Sequence, residues 1–311
     1  MSKTALFFPG QASQYVGMGR DLYEASADVR RLYELAADAM QFDIARLSFE
    51  GPAEDLRRTR FTQPAILLHS LAALTVLGDG RPAFDYAAGH SLGEYGALAV
   101  TGALTFEQAI RAVVRRAHLM EEACRQQPGT MAAVMGLSAA QVEQVCREAA
   151  AAGVVVPANY NSGIQIAVSG SRPGVEKAIE LAKSAGAKRA MLLEVGGAFH
   201  SPLMEPAREG LRTYLADLAI AAPARAVIAN VTAEPATDGA TIRRLLIEQV
   251  TAPVKWAQTM ACLAAEGVTT VYEIGPGKVL TGLARRDMNL TTSVNLDTLA
   301  DIEALGALQR P

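Results

Sequence analysis

Phe84-Asp85-Tyr86-Ala87-Ala88-Gly89-His90-Ser91-Leu92-Gly93-Glu94-Tyr95-Gly96-Ala97-Leu98-Ala99-Val100 is the stretch on which the organisation of this chain turns. Residues Phe84 to Ala88 read as a short buried strand. An Ala-rich helical pattern starts directly after Gly93. Between them Gly89-x-Ser91-x-Gly93 supplies a sharp turn bounded by glycines, the setting in which a serine oxygen is exposed at the top of a parallel sheet. A chance Gly-Ser turn is the bland alternative, and the strand before and helix after argue against it.

Working outward, Thr4 to Phe8 is a second buried strand, ending in Pro9-Gly10. Pro64 to Leu77 is helical. Thr105 to Gln127 is a helix opened by a capping box at Thr105 and Gln108, with Ile110, Val113, Val114, Ala117, Met120 and Cys124 on one face. Arg111, Arg115 and His118 point away from that stripe, and Arg116 lies beside it, where its charge is partly shielded. Residues 129–195 run strand (Met131 to Leu137), helix (Ser138 to Ala152), strand (Val154 to Tyr160), strand (Ile164 to Ser169), helix (Pro173 to Ala185) and strand (Arg189 to Val195). Asn161-Ser162-Gly163 joins the middle pair. That βαββαβ order is the split βαβ arrangement. Later strands include Val227 to Val231 and Thr270 to Ile274. The expected fold is α/β: a large α/β-hydrolase-like domain with a short parallel sheet over 1–127 and 197–311, carrying an inserted ferredoxin-like domain over 128–196.

Composition narrows the function. A net charge of −3 over 311 residues gives no footprint for nucleic acid. Cys124, Cys146 and Cys262 lack metal-ligand spacing and read as buried or half-buried thiols. Four apolar residues near the N-terminus are too few for a signal peptide, and Pro64 to Gly78, broken by His69 and Ser70, is too short to span a bilayer. A cytoplasmic protein without membrane attachment is the expectation.

A serine needs a base. Of four histidines, His90 adjoins Ser91, His69 lies in an apolar helix, and His118 is on a polar helix face. His200 stands at the seam between the two units and is the best placed. Acids between residues 91 and 200 fall nearly all on polar faces, so no third triad member stands out and a dyad is expected. Arg116 suits either a clamp on a substrate carboxylate or a structural ion pair. Helix position alone favours the ion pair.

Seven motifs now stand in order: Phe8-Pro9-Gly10-Gln11-Ala12-Ser13-Gln14; Thr62-Gln63-Pro64-Ala65; Gly89-His90-Ser91-Leu92-Gly93-Glu94-Tyr95; Asn159-Tyr160-Asn161 with Gln165; Gly197-Ala198-Phe199-His200-Ser201-Pro202-Leu203-Met204; Gln249 with Pro253-Val254-Lys255-Trp256; and Glu273-Ile274-Gly275-Pro276-Gly277. Over essentially its whole length the chain resembles the malonyl-CoA:acyl-carrier-protein transacylases of fatty-acid and polyketide synthesis. The resemblance implies that Ser91 is acylated, that His200 is its base, and that the Gln249 carbonyl orients the imidazole. It implies an oxyanion hole from the backbone N–H groups of Gln11 and Leu92, and it makes Arg116 the malonyl carboxylate site. Asn161 is expected near the site, and Phe199 and Leu92 are malonyl-type residues. Transfer would be ping-pong from malonyl-CoA to acyl carrier protein, by a monomer needing no metal or redox cofactor. The acidic carrier would meet Lys188, Arg189, Arg285 and Arg286. An acyl hydrolase on the same fold is the rival activity, discriminated by Arg116, and a non-catalytic carrier-docking protein is the rival class. Three departures concern loop geometry: the Ala12 methyl in the oxyanion loop, Ser162-Gly163-Ile164 where Ser-Pro-Gly is common, and the small Gly196-Gly197 pair.

Overall fold

A computed structural model describes residues 2–308, so the outer limits 1 and 311 given above lie outside the described residues. Ten strands form two sheets: β1 (Lys3–Phe8), β2 (Tyr86–Gly89), β3 (Thr130–Met135), β4 (Val155–Ser162), β5 (Gln165–Gly170), β6 (Arg189–Leu192), β7 (Ala226–Ile228), β8 (Pro235–Ala236), β9 (Val268–Ile274) and β10 (Thr292–Leu296). The first sheet has the order β10-β9-β1-β2-β7-β8, and only the β7–β8 pair is antiparallel. The second has the order β4-β5-β3-β6 and is antiparallel throughout.

The central strand β1 is a continuous apolar run because both its faces are covered. Leu6 and Phe8 enter the larger core with the Thr59–Leu77 helix, while Ala5 and Phe7 face a second cluster. There the Phe7 and Trp256 rings meet edge to face, centroids 5.0 Å apart. The Thr59–Leu77 helix absorbs Pro64 near its start, and so runs longer than the apolar stretch Pro64 to Gly78 suggested. The span Thr59–Gly80 is long and apolar enough to cross a membrane, which corrects the expected shortness alone; 83% of its apolar window is buried inside the protein. Helix entries follow the caps read from sequence: Thr105 with Gln108, and Ser138 with Gln141, are complete capping boxes.

The antiparallel sheet packs one face on the Ala139–Ala149 and Arg172–Ser184 helices, with its own core around Val134, Val142, Val168 and Val175. Its other face turns Met131 and Ala167 into the main core. A bridge between Asn159 and Val254 ties its β4 edge to the larger unit. Several boundaries differ from the expected ones, β3 ending at Met135 and β7 at Ile228 among them, and two of the differences bear on the site. β4 continues through Asn161 and Ser162, because bulges at Pro157/Asn159 and Tyr160/Ser162 let the strand keep pairing where a turn was expected. β6 ends at Leu192, as the chain then leaves the sheet for the cavity described next.

Candidate active site

The elbow forms as its glycines demand. A Cβ on Gly93 would lie 2.2 Å from the Phe8 carbonyl oxygen, and one on Gly89 would lie 2.0 Å from the Gly93 carbonyl. With both absent, β2 turns into the Gly93–Val100 helix at Ser91, whose φ of 53° is left-handed. Such a conformation costs a non-glycine residue about 1–2 kcal/mol. The turn is held by Asn230, which the sequence did not flag. Its Oδ1 accepts from Ser91 N (2.7 Å), and its Nδ2 donates to Gly89 O (2.7 Å). A buried asparagine directly after the apolar β7 run was the available signal.

Ser91 Oγ lies 2.9 Å from His200 Nε2. His200 Nδ1 faces two main-chain carbonyls, Gln249 at 2.8 Å and Ala252 at 3.2 Å. Carbonyls only accept, so the proton is on Nδ1 and the Nε2 lone pair receives the serine hydroxyl. Burial, with the nearby Arg116 charge, pushes the imidazole pKa down to about 3 and keeps the ring neutral. His200 also has a left-handed φ, 56°, braced by Ser201 Oγ donating to Ala198 O. A side chain at Gly197 would run into Cys124 Sγ, 2.1 Å from its Cβ position, which explains that small residue before the histidine.

Arg116 corrects the reading from helix position in two ways. It is 1% exposed rather than partly shielded, and it has no carboxylate partner among the described residues, so the ion-pair reading fails. Nη1 donates to Gln63 Oε1 (2.6 Å), and Nη2 donates to Ser91 Oγ and Gln249 Oε1 (both 2.9 Å). Its Nε–H has no acceptor. A guanidinium beside Ser91 whose Nε–H is unpartnered has the chemistry to receive an anion.

The search for an acid passed over Glu94. It is 2% exposed, not on a polar face, but its Oε2 accepts from Gln249 Nε2 (2.8 Å) and Asn230 N (3.1 Å), not from a histidine. Burial raises its pKa to about 7 against the pull of those two donors and of Arg116.

Ser91 and His200 open on a cavity of about 550 Å³, walled by the loop from Gly10 to Gln14, by Phe199 and by the antiparallel sheet, with Arg116 buried behind them. The Gln11 and Leu92 N–H groups have no acceptor among the described residues; Leu92 caps the Gly93–Val100 helix, where the dipole adds positive potential. Asn161 lines the cavity, and its Oδ1 pairs with His90 Nε2 at 2.9 Å. Ala12 does not crowd the loop. It is exposed, and the reason for a glycine there is its φ of 75°. Arg57 lines the cavity as well. Lys188, Arg189, Arg285 and Arg286 are all exposed. His118 is exposed on the far face of its helix, and His69 is in the core as expected.

Residues 6–310 match the family model described as acyl transferase domain. The chain is 46% identical over 287 residues to the malonyl CoA-acyl carrier protein transacylase of Bacillus subtilis, spanning 92% of this chain and 90% of that one. It is 41% identical to the Escherichia coli K12 protein of the same name, over 96% of each. Among solved structures, an acyl carrier protein S-malonyltransferase from Vibrio cholerae aligns at TM-score 0.92 and 41% identity, over 98% of this chain and 100% of that one. A malonyl-transacylase in complex with a type II PKS acyl-carrier protein aligns at TM-score 0.93 and 38% identity, over 98% and 99%.

Proposed function

Because this chain belongs to the acyl transferase family, among the malonyl CoA-acyl carrier protein transacylases, we propose that it moves a malonyl group from malonyl-CoA to the phosphopantetheine thiol of an acyl carrier protein. The observation that carries the reading is the buried Arg116 beside Ser91, charged, free of any carboxylate partner among the described residues and with an N–H to spare. In the first half-reaction, Ser91 Oγ attacks the thioester carbonyl as His200 Nε2 takes its proton, and the oxyanion is held by the N–H groups of Gln11 and Leu92. The imidazolium returns that proton to the departing CoA sulfur, leaving a malonyl-serine ester. In the second, the carrier thiol gives its proton to His200 and attacks the ester carbonyl, and the imidazolium returns that proton to the departing Ser91 Oγ. Each half-reaction exchanges one acyl–heteroatom bond for another, so the chemistry as written calls for no metal or redox cofactor.

The architecture that goes with this reading is an α/β-hydrolase-like unit over 1–127 and 197–311 with a ferredoxin-like insert over 128–196. Asn161 and Phe199 would border the acyl group. The carrier would approach along Lys188, Arg189, Arg285 and Arg286, in a cytoplasmic monomer, with transfer slowing as salt rises.

Intact-mass analysis tests the proposal. Malonyl-CoA should add one malonyl group at Ser91, absent in Ser91→Ala. Arg116→Ala should lower malonyl loading several-hundred-fold or more, since breaking a buried charge pair costs about 3–5 kcal/mol, while acetyl loading holds or improves. An equal loss for both substrates would end the claim of malonyl selectivity, and release of free acid faster than carrier loading would favour the hydrolase instead.

A further inference from the structure

Arg116 and Glu94 are both buried and do not touch; Glu94 Oε2 accepts two N–H bonds, from Asn230 N and Gln249 Nε2, which favour its carboxylate form. The Gln249 amide stands between them. Its Oε1 accepts from Arg116 Nη2 at 2.9 Å, and its Nε2 donates to Glu94 Oε2 at 2.8 Å and to Ser91 O at 3.0 Å. The amide has only one workable orientation. Turned over, its N–H groups would face the guanidinium donors, and its oxygen would face the Glu94 carboxylate, the Ser91 carbonyl and Asn230 Oδ1, which is 3.4 Å from Nε2. Gln249 therefore acts through two separate atoms. Its main-chain oxygen orients His200, and its side chain links Arg116 to a carboxylate.

We infer that Glu94 is a positioning residue for acyl preference: it is the counter-charge of Arg116, held one amide away. A direct ion pair would stabilise the buried guanidinium equally well, but would occupy the donors that a substrate carboxylate needs. The bridged arrangement supplies negative charge close by and leaves the arginine Nε–H unpartnered. It also fixes the rotation of the guanidinium, because Nη2 is held by Gln249 and Ser91 at once. Glu94 itself makes no contact with Ser91 Oγ or His200, so its influence reaches the reaction through Gln249.

This inference rests on the proposal that Arg116 binds the malonyl carboxylate, and the test separates the two. Malonyl and acetyl loading of Ser91 from their CoA thioesters are measured by mass for the full-length protein, Glu94→Gln, Gln249→Met and Arg116→Ala, with the melting temperature of each. Glu94→Gln keeps the shape and removes the charge. The malonyl-to-acetyl rate ratio should fall about 10-fold, as the charge-assisted bond that anchors the Gln249 amide is replaced by a neutral one and the guanidinium is held less firmly, with the loss expressed mainly as a higher KM for malonyl-CoA. Gln249→Met cuts the bridge from its other end, retains the main-chain carbonyl, and should move the ratio the same way; it decides the matter if Glu94→Gln does not fold. If Arg116→Ala shifts the ratio and neither bridge variant does, Glu94 is only structural and the inference is overturned. If Arg116→Ala leaves the ratio unmoved, the reading of Arg116 fails first.

Discussion

His200 and His69 are both buried, and each directs a ring nitrogen at a main-chain carbonyl, Gln249 for one and Asp297 for the other. His69 has in addition what a serine-triad template asks of the base: a carboxylate, Asp297 Oδ1, 3.0 Å from Nε2. Yet it is His200, without an acid, that faces Ser91. The His69–Asp297 pair does different work. Asp297 also accepts from Tyr15 Oη at 2.8 Å and from Gly277 N at 2.9 Å, so the pair fastens the loop after β1, which carries Gln11, to the ends of β9 and β10 and to the Thr59–Leu77 helix. Burial pushes the Asp297 pKa up, but its bonds to His69, Gly277 and Tyr15 outweigh that and hold it below the usual carboxylate value. The histidine with a carboxylate is thus not the one that meets the serine, and the proposed base is the one whose lone pair faces a hydroxyl.

The largest effect that sharpens this contrast is on turnover. His200→Ala should slow acyl-serine formation by about 10²–10⁴-fold with little change in fold, read by quenched-flow mass analysis. A greater loss in a His69 variant would invert the assignment.

The second effect is on stability against pH. The folded His200 pKa is about 3, against 6.5 for the free side chain. Between those values the unfolded chain binds a proton that the folded one refuses, so acid favours unfolding. Wild-type stability should therefore drop relative to His200→Asn by about 1.4 kcal/mol per pH unit below 6.5, levelling off near pH 3, as followed by denaturant titrations at stepped pH. Parallel curves for the two proteins would mean that His200 is not held neutral by the fold.

His69→Leu should behave in the opposite sense to His200→Ala. Removing the donor to Asp297 costs about 1–3 kcal/mol for the polar group left without its partner, lowering the melting temperature, while loading per folded molecule stays within about 3-fold of wild type. Smallest of all, Tyr15→Phe removes one half-exposed bond to the same carboxylate and should cost about 0.5 kcal/mol. A turnover loss there exceeding the stability loss would show that the loop fastening reaches the oxyanion site.

Elements whose signals are local were legible along the chain. The capping boxes at Thr105 and Ser138, the glycines of the elbow, and the strand–helix order around Ser91 all depend on residues within a few positions of one another. The edge strands β8 and β10 were not individually named. β8 has only two residues, and β10 is half-buried without a clean alternation. The extension of β4 through Asn161 was hidden because Asn-Ser-Gly is turn chemistry, and only pairing with β5 overrides it.

By itself, then, the sequence determined the turn that presents Ser91, the motif order that singles out His200 and Gln249, and the two-sheet organisation. Each is written in short-range spacing or in the succession of segments. The tertiary structure alone decided that Arg116 lacks an ion pair, that Glu94 is buried and linked to it through Gln249, that Asn230 pins the elbow, and that Asp297 belongs to His69. The physical reason is distance along the chain. Asn230 and Gln249 reach the elbow from 139 and 158 residues away, and Asp297 reaches His69 from 228. Helical periodicity reports which face of a helix a side chain occupies, but its burial and its hydrogen-bond partners are set by whatever the fold packs against that face.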